Sequence, residues 1–172
     1  LIKEQISILS NLLDSQISIT HLKPHGALNN MACTDPQLAQ VIVSYVKQYH
    51  PKIIILAPVF SELAKASEVA GLLTALEVFA DRTYEDDGTL TSRSIEGSLI
   101  TDPNKAKAHV KKMIEEKAII SRSGKKLTTT FHSICLHSDT PNSLEISNQI
   151  CILLKSMGIQ QHTLPELFNS NE

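Results

Sequence analysis

Apolar positions along the chain switch between helical and strand periods, and the switching outlines its elements. Ile2, Ile6, Leu9 and Leu13 recur at helical spacing, so the chain opens inside a helix with no capping residue ahead of it. Ile17-Ser18-Ile19-Thr20-His21-Leu22 is β-branched and reads as a strand, stopped by Pro24 and Gly26. Thr34-Asp35-Pro36 offers an N-cap followed by proline, and Leu38, Val41, Ile42, Tyr45, Val46 and Tyr49 trace one helical face up to Pro51. Ile53-Ile54-Ile55-Leu56 is a continuous apolar run, as a strand covered on both faces requires. A short helix capped by Ser61 and closed by Gly71 leads to a third strand, Thr74-Ala75-Leu76-Glu77-Val78-Phe79. A polar, irregular stretch follows to about Thr101. Asp102-Pro103 then opens a helix with Ala106, Val110, Met113 and Ile114 on one face, and Phe131 to Leu136 form a further strand. Thr140-Pro141 starts another helix, with Ile146, Ile150, Leu153, Leu154 and Met157 inward and Gly158 at its end.

Strand and helix thus alternate four times with short connections, the signature of βα units on a parallel sheet. The fold class is α/β: an open sheet or a piece of an α/β barrel, with ligands expected at the carboxyl ends of the strands. The length, 172 residues, suits one domain or part of a larger one, and 42% hydrophobic residues provide a core. A net charge of -2, no tryptophan and 4% aromatic residues argue against a nucleic-acid partner. No apolar run has membrane-spanning length, so no membrane partner is expected. The three cysteines, Cys33, Cys135 and Cys151, form no CxxC pair; they read as packing residues in a reducing, cytoplasmic compartment.

Titratable residues cluster where the strands end. The first strand ends in Lys23-Pro24-His25-Gly26, the third in Glu77-Val78-Phe79-Ala80-Asp81-Arg82, and the last in His137-Ser138-Asp139. Pro24 holds Lys23 extended and Gly26 permits a sharp turn, so His25 is placed as a general base, a metal ligand or a loop hydrogen-bonder. Strand alternation puts Glu77, Phe79 and Asp81 on one face. Two carboxylates there can divide acid and base roles, hold a metal, or form a structural pair with Arg82 or Arg93. Arg82 and Arg93 fall in one segment, and a guanidinium fork suits a carboxylate or phosphate substrate. In Tyr84-Glu85-Asp86-Asp87-Gly88, Glu85 and Asp86 belong to a surface turn and Asp87 is a candidate to point inward. His137 leaves a strand for a helix start, where Asp139 or Thr140 can serve as cap. Lys105, Lys107, Lys111 and Lys112 form a solvated helix face, and Ser123-Gly124-Lys125-Lys126-Leu127 reads as a hairpin turn. GxGxxG, HExxH and GxSxG are all absent from the sequence.

Lys-Pro-His-Gly-Ala-Leu-Asn-Asn at 23–30, the segment from Glu77 to Arg93, and Ile-Cys-Leu-His-Ser-Asp-Thr-Pro at 134–141 together resemble the LamB/YcsF family. The resemblance runs through essentially the whole chain in order and spacing. It implies a seven-stranded (β/α) barrel of the glycoside hydrolase/deacetylase type. It also implies ATP-dependent cleavage of the 5-oxo-L-proline lactam to L-glutamate within a 5-oxoprolinase that includes partner subunits B and C. Carried over motif by motif, it implies catalytic roles for His25, Glu77, Asp81, His137 and Asp139. Substrate-binding roles follow for Lys23, Asn30, Arg82, Tyr84, Asp87 and Arg93. ATP would act through the assembled complex and a divalent metal would be compatible, with no ligand set assigned.

Three departures from the family pattern stand out. Asn29 occupies a position where the family carries tyrosine, and Ser138 replaces a glycine. The family's Asp-Leu-Asn-rich opening and its Cys-Gly-Phe-His-Ala-Gly-Asp and Gly-Ala-His-Pro stretches have no counterpart in the sequence. The expectation is a single domain over residues 1–172 that corresponds to the carboxyl-terminal portion of the family barrel, incomplete as an enzyme by itself and prone to homo-oligomerise or pair with another chain. Two rival readings are a metal-dependent amide or N-acyl-sugar hydrolase on the same fold, and a non-catalytic remnant.

Overall fold

A computed structural model describes residues 1–14 and 16–169. The elements are α1 (Ile2–Leu12), β1 (His21–Leu22), α2 (Gly26–Thr34), α3 (Pro36–Tyr49), β2 (Ile54–Pro58), α4 (Glu62–Val69), β3 (Thr74–Phe79), α5 (Pro103–Glu116), β4 (Ala118–Ile120), β5 (Lys126–Thr128), β6 (Ser133–Cys135), α6 (Ser143–Ser156) and α7 (Leu164–Asn169). Contacts divide the chain into two compact units. The first comprises Leu1–Ala57, Glu62–Ala75 and Thr163–Glu172; the second comprises Pro58–Ser61 and Leu76–His162.

In the first unit β1 and β2 pair in parallel, with His21 opposite Ile54 and Leu22 opposite Ile55. Every residue of β2 is buried, as its unbroken apolar run requires. Ile54, Leu56 and Ala75 form an apolar cluster with Leu164 and Phe168 of α7 against it. Asp35 caps α3 by accepting from the backbone N–H groups of Gln37 and Leu38, at 2.8 and 3.1 Å, and Pro36 occupies the first helical turn. The buried face of α3 differs from the expected one: Ala39, Ile42, Val43 and Val46 are inside, whereas Val41 and Tyr49 are exposed. Ala39 is fully buried on α3, whose neighbours include α2 and α4. The strand expected over residues 17–22 shortens to His21–Leu22. The apolar pattern does not reveal α2, which carries Cys33. Burial raises the Cys33 thiol pKa to about 11, so it stays protonated as a packing group.

In the second unit β3 and β6 pair in parallel, with Glu77 opposite Ser133, Val78 opposite Ile134 and Phe79 opposite Cys135. Among the described residues, parallel pairing thus joins β1 to β2 and β3 to β6. The core of this unit gathers Val78, Val110, Met113, Ile119, Ile146 and Leu153, drawn from β3, α5, β4 and α6. α5 begins where Asp102 accepts from Lys105 N–H at 2.8 Å, and α6 buries Ile146, Ile150, Leu153 and Leu154. The expected turn at 123–127 closes the antiparallel β4–β5 hairpin.

The polar stretch between β3 and α5 is irregular but tightly tied. Thr83 N–H donates to Ser98 O, Thr91 N–H to Thr83 O, and Ile100 N–H to Asp81 O. Asp86 staples it to the hairpin by accepting from the hydroxyls of Ser121 and Ser123 at 2.5 and 2.6 Å. These two bonds hold the Asp86 carboxyl below its ordinary range. Gly88 has φ +88°, and a Cβ there would lie 2.7 Å from the Phe60 ring. Gly88→Ala should therefore destabilise the chain by about 1–3 kcal/mol more than Gly124→Ala. Gly124 also has positive φ but open space around it. Denaturant unfolding of the two variants measures the difference; equal losses would remove Phe60 from the explanation.

Candidate functional site

Parallel register brings the central pair together. Phe79 lies opposite Cys135, so two residues further along each chain segment Asp81 faces His137. The Asp81 side chain is fully buried. Its Oδ2 accepts from His137 N–H at 3.1 Å and from the Thr140 hydroxyl at 2.5 Å, and His137 Nδ1 lies 2.9 Å from Oδ2 and 3.1 Å from Oδ1. An ionised carboxylate only accepts, so it fixes the proton of neutral His137 on Nδ1 and leaves Nε2 with its lone pair. The imidazole stacks on the Phe79 ring, with centroids 5.7 Å apart. A half-buried, oriented histidine with a lone pair on its second nitrogen can take a proton from water or from a substrate and return it.

The surrounding groups are held by the same irregular stretch. Glu77 is buried on β3, and the Ser133 hydroxyl donates to its Oε1 at 3.4 Å. Arg82 is buried and its guanidinium donates to Thr91 O at 2.5 Å. Burial and, after it, the neighbouring Arg93 charge lower the proton affinity of Arg82. Arg93 is half-exposed and pairs with Asp139 at 3.2 Å. Tyr84 is a core residue whose hydroxyl accepts from Phe79 N–H at 2.7 Å, and burial pushes its pKa up. Asp87 is exposed rather than inward: it accepts from Thr89 N–H and the Thr89 hydroxyl, at 2.9 and 2.7 Å, and shapes its turn. Neither Asp139 nor Thr140 caps α6, because the first engages Arg93 and the second engages Asp81.

The first unit holds the other candidates. Lys23 follows β1 and is half-buried; His25 is the exposed N-cap residue of α2 and makes no side-chain cap bond. Gly26 takes φ +57° to start that helix. Asn30 is exposed on α2, while its neighbour Asn29, where the family carries tyrosine, is buried.

Sequence reasoning misses two groups near the Asp81–His137 pair. Thr140 reads there only as a cap. His109 lies on α5 and stacks on Tyr84 at 6.2 Å, with its Nε2 buried. Burial outweighs the nearby backbone of Phe79 and Arg82 and lowers its pKa, so it is neutral. Its position three residues after Ala106 and four before Met113, on the apolar face, is the available signal. Among the described residues no three His, Cys, Asp or Glu side chains gather as a metal-holding set. The Asp81–His137 pair alone falls short of the ligand number a divalent ion takes.

Fold and pair together define an α/β protein with a parallel sheet and an Asp–His pair following two neighbouring strands. The chain belongs to the LamB/YcsF family, whose pattern matches residues 1–169. It is 41% identical over 149 residues to the 5-oxoprolinase A subunit of Azoarcus sp. (strain BH72), covering 87% of this chain and 58% of that one. It is 40% identical over 167 residues to the 5-oxoprolinase A subunit of Bacillus subtilis (strain 168), covering 96% and 65%. The crystal structure of a lactam utilization protein from Thermus thermophilus superposes with a TM-score of 0.80 at 31% identity, over 91% of this chain and 62% of that one. The chain thus spans less than two thirds of the length of these relatives. Among the described residues no helix is long and apolar enough to cross a membrane.

The Arg93 hydrogen bond holds the Asp139 carboxyl below the usual carboxylate range. A depressed pKa means that the pair persists above that pKa and is lost as pH falls through it. Arg93→Ala should raise the Asp139 pKa towards the ordinary carboxylate range, measured by carboxyl-carbon NMR titration. An unchanged titration would show that Arg93 does not hold Asp139 in solution.

Proposed function

We propose that this chain serves in opening the lactam of 5-oxo-L-proline to L-glutamate, as the A subunit of a 5-oxoprolinase that couples the reaction to ATP hydrolysis with partner subunits B and C. The observation that carries the proposal is the buried Asp81 carboxylate engaging His137 Nδ1 and so leaving the lone pair on Nε2. The names of the relatives and of the structural neighbour point to the same substrate class.

A five-membered lactam is a stable amide. Opening it requires water to lose a proton as its oxygen bonds the carbonyl carbon, and the ring nitrogen to gain a proton as the C–N bond breaks. His137 Nε2 takes the first proton, Asp81 stabilises the imidazolium, and the same nitrogen returns a proton to the leaving amine. Glu77 supplies a second carboxylate for proton handling. Arg93 offers a half-exposed fork to the substrate carboxylate, which would replace the exposed Asp139 as its partner. Lys23, His25 and Asn30 are assigned to substrate binding and proton transfer from their motif alone. The ATP requirement is assigned to the assembled complex. Free Cys33, Cys135 and Cys151 suit a cytoplasmic setting.

The test is glutamate formation from 5-oxo-L-proline and ATP by the full-length chain with its partner subunits. His137→Asn and Glu77→Gln should each lower kcat by roughly 10²–10⁴-fold with the fold intact. Wild-type turnover in the His137 variant would overturn the assignment.

A further inference from the structure

The buried Asp81 carboxylate is served from a single four-residue turn. His137 N–H, His137 Nδ1–H and the Thr140 hydroxyl all reach it, and Thr140 N–H closes the turn onto His137 O at 3.2 Å. Thr140 is itself buried, and its hydroxyl at 2.5 Å makes the shortest of the three bonds. Its backbone O accepts from Ser143 N–H at the start of α6, so the hydroxyl is anchored by a helix rather than by a free loop.

We propose that Thr140 is a positioning residue: by donating to Asp81 it fixes the ring orientation of His137 and sets how firmly His137 holds a proton. The carboxylate shares its negative charge among its donors. A strong hydroxyl donor on Oδ2 withdraws charge that would otherwise favour the imidazolium. Removing the hydroxyl leaves Asp81 more basic and raises the proton affinity of His137. The other titratable and charged groups facing the pair are Arg82 and Tyr84 from the segment after β3, His109 from α5, and Asp139 with its partner Arg93, while Glu77 acts on Tyr84. The Thr140 hydroxyl donates to Asp81, so its effect on His137 passes through that carboxylate. The inference adds a residue to the proposed lactam-opening site and rests on that reading for its catalytic consequence only.

NMR titration of the His137 ring in this chain tests it without any substrate. Thr140→Val should raise the His137 pKa by roughly half a unit to one unit, and Thr140→Ser should restore the wild-type value. In the assembled enzyme Thr140→Val should lower kcat about tenfold with KM within about twofold, again restored by serine. An unchanged His137 titration in a folded Thr140→Val chain would overturn the proposal. If that variant does not fold, the wild-type chain decides: the Thr140 hydroxyl proton should exchange slowly enough to be seen by NMR, and a rapidly exchanging hydroxyl would overturn it. Absence of lactam opening in the wild-type assembly would sink the functional reading and leave the titration result standing.

Discussion

A carboxylate taken wholly out of water is tolerable only when donors replace its hydration, and that requirement organises the second unit around Asp81. The carboxylate lies two residues beyond β3, and its donors lie two to five residues beyond β6. Only parallel pairing of these strands in the observed register brings them face to face. Ala80 N–H extends the pairing by donating to Cys135 O at 2.8 Å, so the approach to Asp81 is already a strand-like ladder. The apolar core beneath, with Val78, Val110 and Ile146, holds strands and helices in the arrangement that the carboxylate needs.

The irregular stretch after β3 serves the same end. It has no regular element, yet Tyr84 and Thr91 are buried within it and Arg82 turns its guanidinium onto a backbone carbonyl. Tyr84 supports Phe79 through the backbone, and Phe79 supports His137 through ring stacking. His109 backs Tyr84 from α5. A histidine held on one side by a carboxylate and on the other by an aromatic face has little freedom to turn, which is the preorganisation that proton transfer demands.

Much of this is legible in the sequence wherever local chemistry decides. β3 occupies the six residues its pattern indicates, Asp35 and Asp102 cap the helices they precede, and α6 buries the predicted face. Topology places function-bearing residues at strand ends, and Asp81 and His137 do meet. What stays illegible depends on distant partners. Thr140 could be a cap or a hydroxyl donor, and only the approach of Asp81 from 59 residues away decides. Tyr84 could reach outward or inward, and the backbone N–H of Phe79 draws it in. Asp87, expected to point inward, is instead held outward in its own turn by the N–H and hydroxyl of Thr89. α2 follows Pro24 and opens on Gly26, residues that locally argue for a break although they also suit a helix start.

The central claim is that Asp81 acts through His137. The most direct measurement is the turnover of Asp81→Asn in the full-length chain assembled with its partner subunits, read beside circular dichroism of the same sample. The amide keeps the shape but loses the charge, and it presents a donor as well as an acceptor to Nδ1. The expected result is a fall in kcat of roughly 10²–10⁴-fold with secondary structure retained. Turnover within a few-fold of wild type in a folded Asp81→Asn assembly would contradict it.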